Sequence, residues 1–311
     1  MAAEATRAGY GETLIELVEE GKDIMAVEAD LSGSTTTAKL GKAYPERLVN
    51  VGIAEQNMID VAAGLSLTGN IAFTGSFAVF GTGRAYDQIR NTVCYGDLNV
   101  KIAPTHAGIS VGPDGGSHQM LEDISLMRGL PNMRVLVPAD YEAARAAIRL
   151  AAETPGPVYV RMGRASVPAV YAEGVQLELG RAYVLREGTD ATIVACGVMI
   201  DQALKAADML EQKGVSVEVI DAFSVKPLDE EAILASVRKT GCVVTAEEHS
   251  VYGGLGSAVA ETLVQNEPAP MEMIGMKDRF GKSGAFEELL DYFKMDAAAI
   301  VDAVERVRSR A

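Results

Sequence analysis

Glu55 stands where an apolar, strand-like run ends and a helical one begins. Arg47-Leu48-Val49-Asn50-Val51 leads into Gly52-Ile53-Ala54-Glu55-Gln56-Asn57, and Met58, Val61, Ala62 and Leu65 then repeat at helical spacing. A carboxyl at the carboxyl end of a strand sits where open α/β sheets build their sites. Burying it there is costly unless it is protonated or paired. The plainer reading is a first-turn acid favoured by the helix dipole, and the surrounding residues decide between the two.

The second concentration of chemistry is a Gly-rich stretch over 105–118, which holds two of the chain's three histidines, His106 and His118, together with Asp114. A loop of that length without secondary structure of its own is usually functional or disordered. The three side chains could ligate a metal, but their spacing is not that of a compact ligand set. Hydrogen bonds from two imidazoles and a carboxylate to substrate hydroxyls fit better. Phe77 and Phe80 follow a strand three residues apart; spacing alone favours core packing, and the functional alternative is a stacking surface for a flat heterocycle. Arg7 and Arg164 are either solvated charges or a fork that grips a phosphate.

The elements that must position these groups alternate strand and helix. Strands are expected at 24–29, 49–53, 71–74, 100–104, 134–137 and 158–161, with helices at 11–20, 55–67 and 139–152. A second unit repeats the pattern with strands at 192–196, 215–221 and 243–246, and helices at 201–212, at 256–264 and after Asp296. This order predicts an α/β protein of two doubly wound domains with mainly parallel sheets. The first spans residues 1–166 and the second 183–311; residues 167–182, with Pro168, Gly174 and Gly180, read as the linker.

A chain of 311 residues is long enough for two such cores. The net charge of −15 excludes a nucleic-acid partner, which demands a basic face. It also makes isolated arginines in loops worth tracing as local anion sites. No apolar run is long enough to span a bilayer, and the N-terminal residues lack the layout of a secretory signal. Cys94, Cys196 and Cys242 are scattered without a CxxC pair, which suits buried thiols in a reducing cytoplasm.

Taken as an ordered set, Arg7, the 30–34 loop, Gly-Ile-Ala-Glu-Gln at 52–56, Ser-Phe-Ala-Val-Phe at 76–80, Thr-His at 105–106, Gly-Pro-Asp-Gly-Gly-Ser-His-Gln at 112–119 and Arg164 resemble the pyrimidine-binding domain of the thiamine-diphosphate enzyme transketolase. From about residue 181 the chain is similar to that family's C-terminal domain, with Glu247-Glu248-His249-Ser250 and Gly253-Gly254-Leu255-Gly256 as markers. The family's Gly-Asp-Gly, carried by an N-terminal diphosphate-binding domain, does not occur, and the chain is about half the family's usual length. The resemblance therefore implies the C-terminal subunit of a split transketolase. An N-terminal partner subunit would hold the diphosphate and a Mg2+ or Ca2+ ion, in an α2β2 heterotetramer that includes self-dimerisation. The activity implied is two-carbon ketol transfer from a ketose phosphate to an aldose phosphate.

Carried onto this sequence, the resemblance makes Glu55, His106 and His118 the catalytic set. Glu55, held protonated by burial, would hydrogen-bond the pyrimidine N1′ of thiamine diphosphate, so that the cofactor's exocyclic nitrogen takes the thiazolium C2 proton. Phe77 and Phe80 would line the pyrimidine. His106, Asp114 and His118 would contact the ketose hydroxyls, and Arg7, Ser34 and Arg164 the sugar phosphate. The family often has a Tyr three residues beyond the second Phe; here that position is Gly83, so the pocket must differ. His249 is expected in a packing or domain-contact role. Among relatives of the same fold, deoxyxylulose-phosphate synthase shares Gly-Ile-Ala-Glu-Gln but is disfavoured by Thr105-His106 and the length. A 2-oxo-acid dehydrogenase beta subunit is disfavoured by Arg164 and the histidine pair. A non-catalytic partner subunit would have no need of Glu55, Asp114 and both loop histidines.

Overall fold

The computed structural model describes residues 3–311. Its first sheet has seven strands, in spatial order Ser224–Lys226, Arg134–Leu136, Val158–Val160, Val100–Ile102, Ile71–Gly75, Ile24–Glu28 and Leu48–Asn50. Six run parallel; only Ser224–Lys226, at the edge, is antiparallel to its neighbour. Strands buried on both faces read as continuous apolar runs, as Val158-Tyr159-Val160 does with all three fully buried. Alternation still sorts the two faces. Ile24 and Ala26 pack with Leu14, Leu17 and Ile148 of the helices Ala8–Glu19 and Tyr141–Glu153, while Val27 packs with Met58, Ile59 and Ala62 of the helix Glu55–Ser66.

The second sheet follows the order Met271–Met276, Val243–Ser250, Ala191–Ala195, Val217–Asp221 and Tyr183–Arg186, with only the last strand antiparallel. Ile193 and Ala195 pack with the helices Met199–Glu211 and Ala297–Arg308, whereas Val194 and Cys196 share an apolar cluster with the helices Glu230–Thr240 and Leu255–Asn266 and with Val135 and Val137 of the first domain. The two halves are thus packed as one body, and Ser224–Lys226 crosses over to extend the first sheet. Residues 167–182 lie against that body. The Asp140 carboxylate accepts from the Val170 and Tyr171 amides at 2.6 and 2.8 Å, while its other oxygen caps the helix Tyr141–Glu153 through the Ala143 amide at 2.8 Å.

Three local departures from the sequence pattern matter for function. The strand expected at 49–53 stops at Asn50, because Gly52 takes a φ of +73° and turns the chain toward Glu55. The aromatic stretch after Gly75 is not a loop but runs into a π-helical turn at Val79–Arg84. The Gly-rich loop contains a short, kinked helical turn at Ile109–Asp114. The helices Asp123–Arg128, Glu230–Thr240 and Phe286–Phe293 carry no sequence expectation at all.

Candidate active site

Because six strands of the first sheet are parallel, their carboxyl ends share one edge, where a doubly wound sheet opens a crevice. Ile24–Glu28 leads there to Ser34, Leu48–Asn50 to Glu55, Ile71–Gly75 to Phe77 and Phe80, Val100–Ile102 to His106, and Val158–Val160 to Arg164. Arg7 arrives by a device that the periodicity does not show. Glu4–Ala5 pairs antiparallel with Ser166–Val167, and the Gly163 amide donates to Thr6 Oγ1 at 2.8 Å.

Glu55 is the first residue of its helix and is 2% exposed. Its carboxylate does not cap the helix. Both oxygens accept from Arg84 Nη1, at 2.9 and 2.8 Å, while the arginine remains half-exposed. Sequence reasoning missed Arg84. Here the Glu55 carboxyl accepts charge-assisted hydrogen bonds from a guanidinium instead of standing unpaired. Arg84 stands four residues beyond Phe80, a helical spacing that places it on the same face. The Arg84 guanidinium lies over the Phe80 ring, 4.7 Å from its centroid, and Gly83 is exposed.

From Phe80 the aromatic surface continues. Phe80 and Phe77 stack with centroids 6.2 Å apart, and Phe77 stacks on the His106 imidazole at 3.8 Å. His118 stands edge-on to Phe80 at 5.4 Å. His106 has a φ of +61°, and its Nδ1 lies 2.7 Å from Thr105 Oγ1. Burial, and then the charges of Arg7, Arg164 and His118, push the His106 imidazole down to about 3, so it is neutral at physiological pH.

Arg7 and Arg164 flank this surface. Arg7 donates to the Ser34 backbone carbonyl at 2.7 Å, so Ser34 enters through its main chain, and Arg164 donates to the Val111 carbonyl at 2.6 Å. Burial and the neighbouring charge of Arg164 lower the Arg7 guanidinium. Asp114 is exposed, and among the described residues no hydrogen bond or ion pair ties it to this cluster. Beneath the site the buried Glu28 carboxyl accepts from Thr35 and Thr37, both at 2.5 Å. A Cβ on Gly75 would lie 1.8 Å from that carboxyl. His249 is buried away from the crevice: its Nε2 accepts from the Ser125 amide at 3.3 Å, which joins the two halves.

Among the described residues no group of His, Cys, Asp and Glu is arranged to hold a metal ion, and no helix is long and apolar enough to cross a membrane. A buried carboxyl beside a partly open aromatic pair fits a flat, nitrogen-bearing heterocycle, while two arginines beside polar imidazoles fit an anionic, hydroxylated substrate.

The comparisons with known proteins fit this arrangement. The transketolase pyrimidine-binding domain family matches residues 2–169, and the transketolase C-terminal domain family matches residues 180–300. The chain is 48% identical to a putative transketolase C-terminal section of Methanocaldococcus jannaschii, over 96% of this chain and 94% of that protein. It is 42% identical to a 6-deoxy-6-sulfo-D-fructose transketolase subunit of Clostridium sp. (strain MSTE9), over 98% of this chain and 94% of that protein. Against the transketolase of Homo sapiens identity is 35%, over 99% of this chain but 49% of that protein. A solved split gene transketolase, described as an inactive β4 tetramer, superposes with a TM-score of 0.91 at 50% identity, and the match covers 99% of both chains. The chain belongs to the transketolase family, and its two halves are that family's pyrimidine-binding and C-terminal domains.

Proposed function

We propose that the chain is one subunit of a thiamine-diphosphate-dependent transketolase that moves a two-carbon ketol unit between anionic sugars. The observation that carries this reading is the continuous surface Glu55–Arg84–Phe80–Phe77–His106, flanked by Arg7 and Arg164, along the carboxyl edge of one parallel sheet. Glu55 would hydrogen-bond the cofactor's pyrimidine once Arg84 has swung away. Phe77 and Phe80 would stack on or line the same ring. Thiamine diphosphate supplies the electron sink that cleavage of a carbon–carbon bond beside a carbonyl requires.

The remaining roles belong to the chain itself. His106, neutral and fixed against Phe77, and His118 would hold the ketose hydroxyls and carry protons to and from them. Asp114 would orient a further hydroxyl from the loop surface. Arg7, with Ser34, and Arg164 would bind the sugar's terminal anion. A phosphate and a sulfonate present similar oxygens to these cations, so the donor is best sought with a panel that includes both.

The diphosphate and its Mg2+ or Ca2+ ion would be held by an N-terminal partner subunit, two copies of each chain forming a heterotetramer. The three free, buried cysteines suit a cytoplasmic site of action. The test is reconstitution with an N-terminal transketolase subunit, followed by product analysis with xylulose 5-phosphate and ribose 5-phosphate. Thiamine diphosphate should bind the mixture and neither chain alone. Turnover of pyruvate in place of ketol transfer would overturn the assignment.

A further inference from the structure

Glu248 belongs to the second domain, yet its contacts go to the Gly-rich loop of the first. The side chain is 2% exposed. Its Oε2 accepts from the Ser110 amide at 3.0 Å, and its Oε1 from the Ser110 hydroxyl at 3.1 Å. Gly108 makes this approach possible: a Cβ there would lie 2.2 Å from the Glu248 carboxyl carbon, and its φ is +75°. Arg161, itself buried, holds the carboxyl from behind. Its Nη1 lies 3.4 Å from Oε1 and its Nη2 donates to the Glu248 carbonyl at 3.1 Å, while its Nε donates to Asp123 at 2.7 Å.

A second tie comes from further along the chain. Gln119, just past His118, donates through Nε2 to the Ile109 carbonyl at 3.2 Å and to the Lys282 carbonyl at 3.0 Å. The loop is therefore clamped near both ends by groups that face the second domain, with Asp114 and His118 between the clamps. A loop held by such hydrogen bonds is pre-organised, and the cost of ordering it on binding is already met.

We propose that Glu248 is a positioning residue for the donor sugar: by fixing Ser110 it sets where Asp114 and His118 stand. It touches neither the sugar nor the cofactor. The inference rests on the reading of the 105–118 loop as the ketose-binding segment. It also assigns the C-terminal domain a task in substrate recognition.

Glu248→Gln tests it, because one of the two oxygens that accept from Ser110 becomes an NH2 group, which donates and cannot accept. In the full chain, hydrogen exchange of peptides covering 107–119 should accelerate roughly 10-fold or more, while the helix Leu255–Asn266 is unchanged. In the enzyme assembled with its N-terminal subunit, KM for the ketose donor should rise roughly 10-fold, with a smaller fall in kcat because His118 is shifted but retained, and thiamine-diphosphate affinity should stay unaltered. Ser110→Ala, which deletes only the hydroxyl, should shift both readouts the same way by less. It also keeps the test intact should the Gln variant fail to fold. Unchanged exchange in the loop, or faster exchange with an unchanged KM, would overturn the proposal. Absence of ketol transfer by the unmodified assembly would instead overturn the functional reading, and the exchange measurement would still decide whether Glu248 holds the loop.

Discussion

Arg84 Nη1 lies within 2.9 Å of both carboxylate oxygens of Glu55, the one residue half-exposed and the other buried. In the proposed role Glu55 would hydrogen-bond a cofactor nitrogen only after this cation has moved, so the ion pair would compete with the cofactor. Arg84→Ala removes the competitor. In the assembled enzyme thiamine diphosphate should then bind roughly 2- to 5-fold tighter, the scale of a half-exposed ion pair. Titration of the cofactor into wild type and variant measures this, and equal or weaker binding would show that Arg84 does not compete.

Glu55→Gln keeps the side chain's size and removes the acid. If the carboxyl supplies positioned proton chemistry to the pyrimidine, ketol transfer falls by at least ~10²-fold. Steady-state rates with saturating cofactor check this, and near-normal turnover would sink the mechanism.

The His106 imidazole is depressed to about 3, first by burial and then by Arg7, Arg164 and His118. Between pH 6.5 and 3 the unfolded chain binds a proton there that the folded chain refuses. This group's contribution to stability is therefore full above pH 6.5 and is lost as pH falls toward 3, with a slope of up to about 1.4 kcal/mol per pH unit. His106→Gln should flatten that limb of the stability curve. With three histidines in the chain, imidazole NMR resolves the point directly: a His106 signal titrating near pH 6.5 would contradict the assignment.

Much of this site could be read before the fold was known, because parallel strands deliver their following residues to one edge. Glu55, Phe77, His106 and Arg164 each sit just past a strand that apolar patterning identifies. What escaped depends on contacts with no local signal. Arg84 meets Glu55 across 29 residues, and no local pattern in the sequence pairs the two. Ser224–Lys226 is too short to show alternation, and only register with Arg134–Leu136 makes it a strand of the first sheet. Glu248 meets Ser110 across 138 residues, and the nearest hint was an unexplained glycine at 108.

Asp221 carries the opposite pH dependence to His106. Burial pushes its carboxyl up to about 7, with Asp140 adding to the rise and the Tyr171 hydroxyl, donating at 2.7 Å, opposing it. Its Oδ1 is buried without a hydrogen-bond partner among the described residues. The folded chain keeps this proton to about pH 7, whereas the unfolded chain releases it near 3.8. The contribution is fully present below pH 3.8, declines as pH rises to about 7, and is absent above. Asp221→Asn should remove the slope, so that the variant gains stability relative to wild type at pH 8 compared with pH 5. Denaturation at the two pH values tests this, and the same difference at both would mean that Asp221 does not titrate in the window.

The proposed anion-binding role of Arg164 can be separated from its bond to Val111. Arg164 donates to the Val111 carbonyl at 2.6 Å and lies close enough to Arg7 for their like charges to interact. An incoming anion relieves that repulsion, so the pair should favour a phosphorylated donor beyond what either cation would give alone. Arg164→Gln should raise KM for a phosphorylated ketose roughly 10- to 100-fold, the worth of one charge-assisted hydrogen bond. With the unphosphorylated ketose it should change KM little, because no anion is there to lose. The stability of the free chain should fall only slightly, since the lost bond to Val111 is offset by the end of repulsion with Arg7. An equal loss for both sugars would assign Arg164 to holding the loop through Val111 and leave Arg7 as the residue that binds the anion.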